Sequence, residues 1–434
     1  MRNLKIAAAV AATLVGGSAF ALPANTASYG VNLVVSGSSA FKVSFKAVFP
    51  TMCADTADLY TAAATSGATP DMLAMSCTLK NDGTLPAAIA GKTAIAYYRS
   101  EGGSVFGVGP IAKNVQIDRL VVNSSCTGTN HSFTCPVANW NLNADTGTGN
   151  LVKDTTLLGI SDVEPAQFIG GNWPSGTLLG VQPTPAQLAN ITNIQSAIAQ
   201  VFAIYVNKSV TGGSSTTVSI SKQSLTSIFN GFYTDWSQVP KADGSGFFSA
   251  GAINVCNRDV GSGTRAGAGI YFEGVGCSTA PYQLISTPTI NASTGAEISC
   301  IGGTAGSVGY ANIQNLPVSA GGTSALPANT SIVWIDGVEP SPLTAATGNY
   351  DYWFEATFNS GSALASHPVE NAMATYLIGR LQDATTLPGT TASPSVIALP
   401  VGVNVPTLPQ ADNSHPVAIG SRSGNSCQAP VGFN

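Results

Sequence analysis

Residues 35–41 read VSGSSAF: an apolar strand end runs into Ser38, Ser39, Ala40 and Phe41, and Phe41, Phe45, Val48 and Phe49 then recur at helical spacing. Free amides at a helix start point outward and carry partial positive charge, so such a turn can hold an anion without a basic side chain. Ser38 and Ser39 add hydroxyl donors. Taken alone, this turn reads as an ordinary serine cap. Residues 257–267, NRDVGSGTRAG, carry more information. Arg258 closes a strand with a planar fork suited to oxyanions. Gly261 and Gly263 then let the backbone approach closely, and Ser262 and Thr264 offer hydroxyls at the start of the next segment.

Two further turns belong with these. RSEGG, residues 99–103, offers the Ser100 hydroxyl and the amides that follow, although in isolation it is any turn. GISDVEP, residues 159–165, contributes Asp162, whose default role is a helix cap. A carboxylate beside an anion is unfavourable unless the anion carries a proton. Asp162 would then accept that proton's hydrogen bond and reject a fully ionised analogue such as sulfate, because a buried unpaired carboxylate is costly.

The elements around these turns alternate between strands and helices, which indicates an α/β fold with mixed, mostly parallel sheets. Strands are expected at 31–35, 93–98, 115–122, 157–160 and 200–206. Helices are expected after Ser221, with Leu225, Ile228 and Phe229 on the apolar stripe, and from Pro368, with Val369, Met373, Tyr376, Leu377 and Leu381 on one face. The Gly/Asn/Thr-rich stretch holding Cys126 and Cys135 reads as a stapled surface loop, and the Pro-rich tail from Thr386 as irregular chain tied down through Cys427. In such sheets ligands collect at the carboxyl ends of strands, where these turns lie.

Composition limits the function classes. The chain has 434 residues, 44% hydrophobic, enough for a large core. Only 9% of residues are charged, against about 25% in an average domain, and the net charge of −5 supplies no basic field for nucleic acid. Arg2 and Lys5, the apolar run Ile6–Val15 and Ala19-Phe20-Ala21 read as a signal peptide, 1–21, so a periplasmic or secreted location is expected, with no membrane insertion. Eight cysteines in an exported chain imply disulfides; the close pairs Cys53/Cys77 and Cys126/Cys135 are first choices, with Cys256, Cys277, Cys300 and Cys427 supplying the rest. His131, His367 and His415 are too scattered for a metal cluster, and no cofactor is expected.

Taken in order, the four turns resemble the periplasmic phosphate-binding proteins of ABC phosphate transporters. SLTSIFNGFYTDWSQV (224–239) is similar to that family's L-x-x-I-F-x-G-x-x-x-x-W signature, and GSVGYANIQN (306–315) to its G-x-I-G-Y segment. The resemblance runs from Val31 to Phe358. It implies two lobes, type 2 periplasmic-binding-protein-like, joined by a hinge of crossing strands: lobe I from 22–205 plus 355–434, lobe II from 206–354. It further implies a monomer that captures inorganic phosphate or a related oxyanion for an ABC permease, and performs no chemistry. The implied ligand residues are Ser38, Ser39, Ala40, Phe41, Ser100 and Asp162 from one lobe, and Arg258, Ser262, Gly263 and Thr264 from the other.

This chain departs from the family pattern in three places. Ala40 stands where the family usually has Thr, the acid usual two positions after the Arg is Val260, with Asp259 adjacent to Arg258, and residues 104–156 are an unusually long insert. Arg99 and Arg265 flank the expected cleft and read as solvated surface arginines. A secreted phosphatase of the same superfamily and an extracellular structural protein are the alternatives. The phosphatase is poorly supported: H-E-x-x-H and G-x-S-x-G are absent, and Asp351 and Glu355, at helical spacing, read as a solvated pair.

Overall fold

The computed structural model describes residues 29–213, 217–277, 288–313, 326–383, 396–398, 418 and 420–432. The expected signal peptide and most of the Pro-rich tail lie outside the described residues. The first half is built on β1 (Val31–Gly37), β2 (Asp58–Gly67), β3 (Met72–Thr78) and β4 (Thr93–Arg99). Every residue of β1 but Asn32 is buried, as the mostly apolar sequence VNLVVSG suits a strand covered on both faces.

The Thr/Asn-rich insert is not the loop its composition suggests. The expected strand at 115–122 forms as β5 (Ile117–Leu120), and the stretch after it forms β6 (Thr127–Thr129), β7 (Ser132–Asn141), β8 (Thr146–Gly149) and β9 (Leu151–Asp154). β7 runs parallel to β2 and buries Cys135, Val137 and Trp140. Its polar residues occupy the other face, so a half-buried strand was hidden by a high count of turn-forming residues.

β10 (Leu158–Ser161) returns the chain to β1, which lies between β4 and β10 and is parallel to both. This arrangement brings the carboxyl ends of all three strands, followed by Ser38, Ser100 and Asp162, to one edge of the sheet. β11 (Ile191–Asn207) is long enough to serve both halves of the molecule. The second half adds β12 (Thr217–Ile220), β13 (Asn254–Arg258), β14 (Thr289–Asn291), β15 (Ser307–Asn312) and β16 (Thr330–Ile335) before β17 (Trp353–Gly361) crosses back. Residues 191–201 of β11 pair with β17, while residues 202–207 pair with β15 and β16. β13 is parallel to both β14 and β15, so the second half repeats the parallel core of the first.

Helices pack as the apolar spacing predicts. Ser221 caps Lys222–Phe229, which buries Leu225, Ile228 and Phe229. Pro368 starts Pro368–Gln382, which buries Met373, Leu377 and Leu381. Asp351 and Glu355, in contrast, share no helix: Glu355 is buried within β17. Its carboxylate accepts hydrogen bonds from the Ser421 hydroxyl (2.7 Å), the Gly424 amide (2.8 Å) and the Arg422 amide, interactions that no local spacing foretells.

Four disulfides form: Cys53–Cys77, Cys126–Cys135, Cys256–Cys300 and Cys277–Cys427. The last spans 150 residues and fastens the C-terminal segment, whose Ser426 amide also donates to Glu164 (3.1 Å). Closing so long a loop removes much of the unfolded chain's entropy. The double variant Cys277→Ser/Cys427→Ser is therefore expected to lose about 2 to 5 kcal/mol of stability in denaturant titration. An unchanged midpoint would show that the bridge contributes nothing.

Candidate functional site

The site begins where β1 and β10 come too close for side chains. Gly37 has φ of +128°, and a Cβ there would lie 1.9 Å from the Ile160 carbonyl oxygen. The chain turns at that point, and the Ser38 amide donates to the Ile160 carbonyl (2.8 Å). The turn aims the Ser38 hydroxyl at Asp162, to which it donates, and the same oxygen accepts the Phe41 amide (3.1 Å). Phe41 is fully buried, edge-on to Phe358, which anchors the start of the helix Lys42–Val48.

Asp162 is 2% exposed. Its Oδ1 accepts from Ser38 and from Gln200 Nε2 (2.9 Å), and its Oδ2 from the Thr264 hydroxyl (3.3 Å). Its own amide donates to the Ser104 hydroxyl (3.2 Å). One carboxylate is thus gripped by hydroxyls 124 residues earlier and 102 residues later in the chain.

The GSGT turn meets it from the second half. Gly261, with φ of +88°, accepts the Val105 amide at its carbonyl (3.0 Å), and Ser262 caps the following helix by accepting from the Arg265 amide (3.3 Å). Arg258 is 2% exposed, and its Nη1 donates to the Thr294 hydroxyl (3.0 Å). Its Nε is buried without an acceptor, a feature that needs an explanation in any folded protein. Burial lowers the Arg258 pKa, opposed by the negative fields of Glu297 and then Asp162.

The structure therefore brings together Ser38, Asp162, Arg258, Ser262, Gly263 and Thr264. Ala40 and Phe41 lie beside them, and the Ala40 carbonyl accepts from Asn312 Nδ2 (3.3 Å). Ser39 follows on the same turn, half-buried. Ser100 is oriented differently: its hydroxyl and amide both donate to the Asp71 carbonyl (3.2 and 3.0 Å). Neither flanking arginine is solvated. Arg99 is buried against Asp145 of the insert, with its guanidinium 4.5 Å from the Phe106 ring, and Arg265 is buried with Nη1 donating to the Arg258 carbonyl (3.3 Å). Among the described residues, no group of three or more His, Cys, Asp or Glu is placed to hold a metal ion.

Sequence reasoning missed Ser104, Gln200, Thr294, Glu297 and Asn312. Gln200 carried a usable signal, since it is the one amide side chain in the otherwise apolar and aromatic run IAQVFAIYV and a buried polar group must have a partner. Thr294 and Glu297 had none beyond a serine cap at Ser293.

Together these groups present hydroxyls, helix-start amides and one guanidinium around a carboxylate that only accepts. Donors of this kind suit an anion, and a carboxylate that only accepts suits a group that carries a proton. The two halves meet closely at Gly263, where a Cβ would lie 2.8 Å from Asp162 Cβ and 2.5 Å from Ser104 Oγ. Gly263→Ala is expected to cost about 1 to 3 kcal/mol by overpacking, read as a lowered calorimetric midpoint. A midpoint at or above that of the wild type would mean that the halves do not meet there.

No protein-family model matches the sequence, and no curated protein does. Among solved structures, the chain is similar to a Clostridium perfringens phosphate ABC transporter substrate-binding protein with phosphate bound. That match has TM-score 0.48 and 12% identity and covers 85% of this chain and 99% of the other. It is also similar to an ABC-type phosphate transport receptor from Vibrio cholerae (TM-score 0.42, 12% identity, 80% and 93% covered). A phosphate-binding protein from Stenotrophomonas maltophilia is a further match (TM-score 0.42, 14% identity, 82% and 85% covered).

Proposed function

We propose that this chain is an exported solute-binding protein that captures inorganic phosphate, or a closely related oxyanion, between two lobes and presents it to an ABC permease. Lobe I is 22–205 plus 355–434 and lobe II 206–354, with boundaries inside β11 and β17, the two strands that cross between halves. The observation that carries this reading is the buried Asp162 carboxylate, shared by hydroxyls from both halves and lying in the field of the buried Arg258.

The argument is one of matching. Arg258, the Ser262 hydroxyl and the amides of residues 39–40 and 263–264 supply donors to the anion, while the Ser38 and Thr264 hydroxyls and the Phe41 amide hold Asp162 and its turn in place. Asp162 supplies the acceptor for its proton. Ligand contacts from both lobes favour a closed arrangement, since only differential affinity shifts such an equilibrium. Micromolar affinity needs about −8 kcal/mol, and charge-assisted hydrogen bonds of about 1.5 to 3 kcal/mol each are enough to supply it. Ala40 removes one hydroxyl relative to the family pattern but leaves its amide. The Ser38–Asp162 contact is the feature a phosphatase would use as nucleophile and base, and release of phosphate from an ester by the purified protein would favour that reading.

Isothermal titration with phosphate, arsenate and sulfate tests the proposal. Arg258→Ala is expected to weaken phosphate binding by at least about a hundredfold, because it strips the anion of its one full positive charge. Asp162→Asn is expected to weaken phosphate and relax the preference over sulfate, since an amide also donates. Wild-type affinity in both variants would remove the assigned site, and no heat with any of the three anions would favour a structural protein.

A further inference from the structure

Arg258 is a buried cation whose neighbours in sequence do not neutralise it. Val260 is apolar. Asp259 is exposed, and its carboxylate accepts the Val260 amide of its own loop (2.7 Å). No ion pair to Arg258 occurs among the described residues. A guanidinium in the interior is nonetheless costly without a compensating charge and a fixed orientation.

Both come from a different element. Arg258 stands opposite Asn291 in the parallel β13–β14 register, and the helix Thr294–Gly303 begins three residues beyond Asn291. Thr294 holds Nη1, and Glu297, one turn along the same face, is fully buried. The Glu297 carboxylate accepts from Asn291 Nδ2 (3.0 Å) and from the Tyr310 amide (3.4 Å). Asn291 Nδ2 also lies 3.2 Å from the Asn257 carbonyl, which ties the carboxylate to the residue preceding Arg258. Gly309 makes room for this, because a Cβ there would come 2.7 Å from Glu297 Oε1.

The geometry points to Glu297 as the positioning residue of the Arg258 anion site, taking over from another helix the balancing role that the adjacent loop does not fill. This rests on the anion-binding reading above. Glu297 supplies the largest negative field on Arg258, while Asp162 acts on the arginine from the other side. The groups facing Glu297 are Arg258 from β13, Asn291 from β14, Tyr310 from β15, and Tyr352, whose pKa burial raises and the fields of Glu297 and Glu273 raise further.

A consequence for pH follows. Burial pushes the Glu297 pKa up to about 7, against the pull of Arg258 and the two hydrogen bonds. A bound anion disfavours the ionised form of Glu297, so binding takes up a proton there. Affinity then falls as pH rises and the carboxylate ionises.

Phosphate affinity measured from about pH 6 to about pH 8 for wild type and Glu297→Gln tests this. Phosphate's own titration, and that of Glu273, are common to both proteins and cancel in the ratio of affinities. That ratio is expected to change by about fivefold across the range in favour of the variant, which is what an upward move of the Glu297 pKa from about 7 to about 8 on binding gives. Glu297→Ala, which leaves Arg258 unsupported, is expected to weaken binding throughout. Parallel pH profiles for wild type and Glu297→Gln overturn the inference. Should either variant not fold, carbon-13 carboxyl titration of the wild type decides: the Glu297 titration is expected to shift upward when phosphate is added, and a titration that phosphate leaves unmoved overturns the inference. If phosphate binds nowhere in the wild type, the phosphate reading fails, and the Glu297 carboxyl titration in Arg258→Gln still judges the coupling: it is expected to move up from its wild-type position once the arginine's pull is lost, and an unmoved titration overturns the inference.

Discussion

One buried carboxylate organises this molecule. Asp162 is out of water, and an ionised carboxylate in that position is tolerated only while hydrogen-bond donors surround it. Those donors come from three separate places: Ser38 at the end of β1, Gln200 on the long shared strand, and Thr264 at the first turn of a helix in the second half. Each must be delivered to within hydrogen-bond distance, which constrains the sheet. β1 must lie parallel to β10 so that Ser38 and Asp162 emerge at the same edge, and β11 must extend far enough to pair with β17 at one end and β15 at the other.

Close backbone approach is what makes that delivery possible. The 3-10 segment Ser104–Gly107 lies directly on β10, where a Cβ on Gly107 would sit 2.2 Å from the Ile160 oxygen and one on Gly159 would sit 1.9 Å from the Gly107 oxygen. Side chains at either position would lift the segment away and remove Ser104 from the Asp162 amide. The insert acts on the same loop from its far side. Asp145 pairs with the buried Arg99, while Lys153 reaches Asp145 Oδ2 (2.9 Å), so strands that look peripheral brace the turn after β4.

Much of this was legible in the residues, and the part that was not has a physical reason. Apolar runs and caps located the strands and helices flanking the site, because burial periodicity is a local property. The Ser/Gly turns were visible for the same reason: a strand end followed by small residues and a helix start is a local pattern. The solvation of Arg99 and Arg265 was misjudged because their surroundings, Asp145 and Phe106 for one and the Arg258 carbonyl for the other, come from contacts that residue type does not encode. Ser100 shows how a distant strand pairing sets a side chain's partner. Its type suited the site, but β3 and β4 pair so as to place the Asp71 carbonyl within reach of its hydroxyl. The strands of the insert were obscured by their Thr, Asn and Gly content, which suits a solvent-facing edge as well as it suits a loop.

The second half shows how a charge requirement can be met from elsewhere in a fold. Position 260 is apolar, yet Arg258 remains buried, so the compensating acid must approach through space. The parallel pairing of β13 with β14 accomplishes this without special side chains: it sets Asn291 beside Arg258, and the helix that follows β14 then necessarily starts near the guanidinium. The residue at the first position of that helix accepts from the arginine, and one turn further the Glu297 carboxylate is buried against Asn291 and the Tyr310 amide, with its field acting on the arginine. The Cys256–Cys300 disulfide fastens this helix to β13, two residues before the arginine, so the spacing between Arg258 and Glu297 is held covalently as well as by packing. Strand register, helix phase and a disulfide together do what one adjacent acidic residue would otherwise do. The loop from Asp259 to Ser262 is thereby released from balancing the arginine and left to follow the backbone path that Gly261 and Gly263 require.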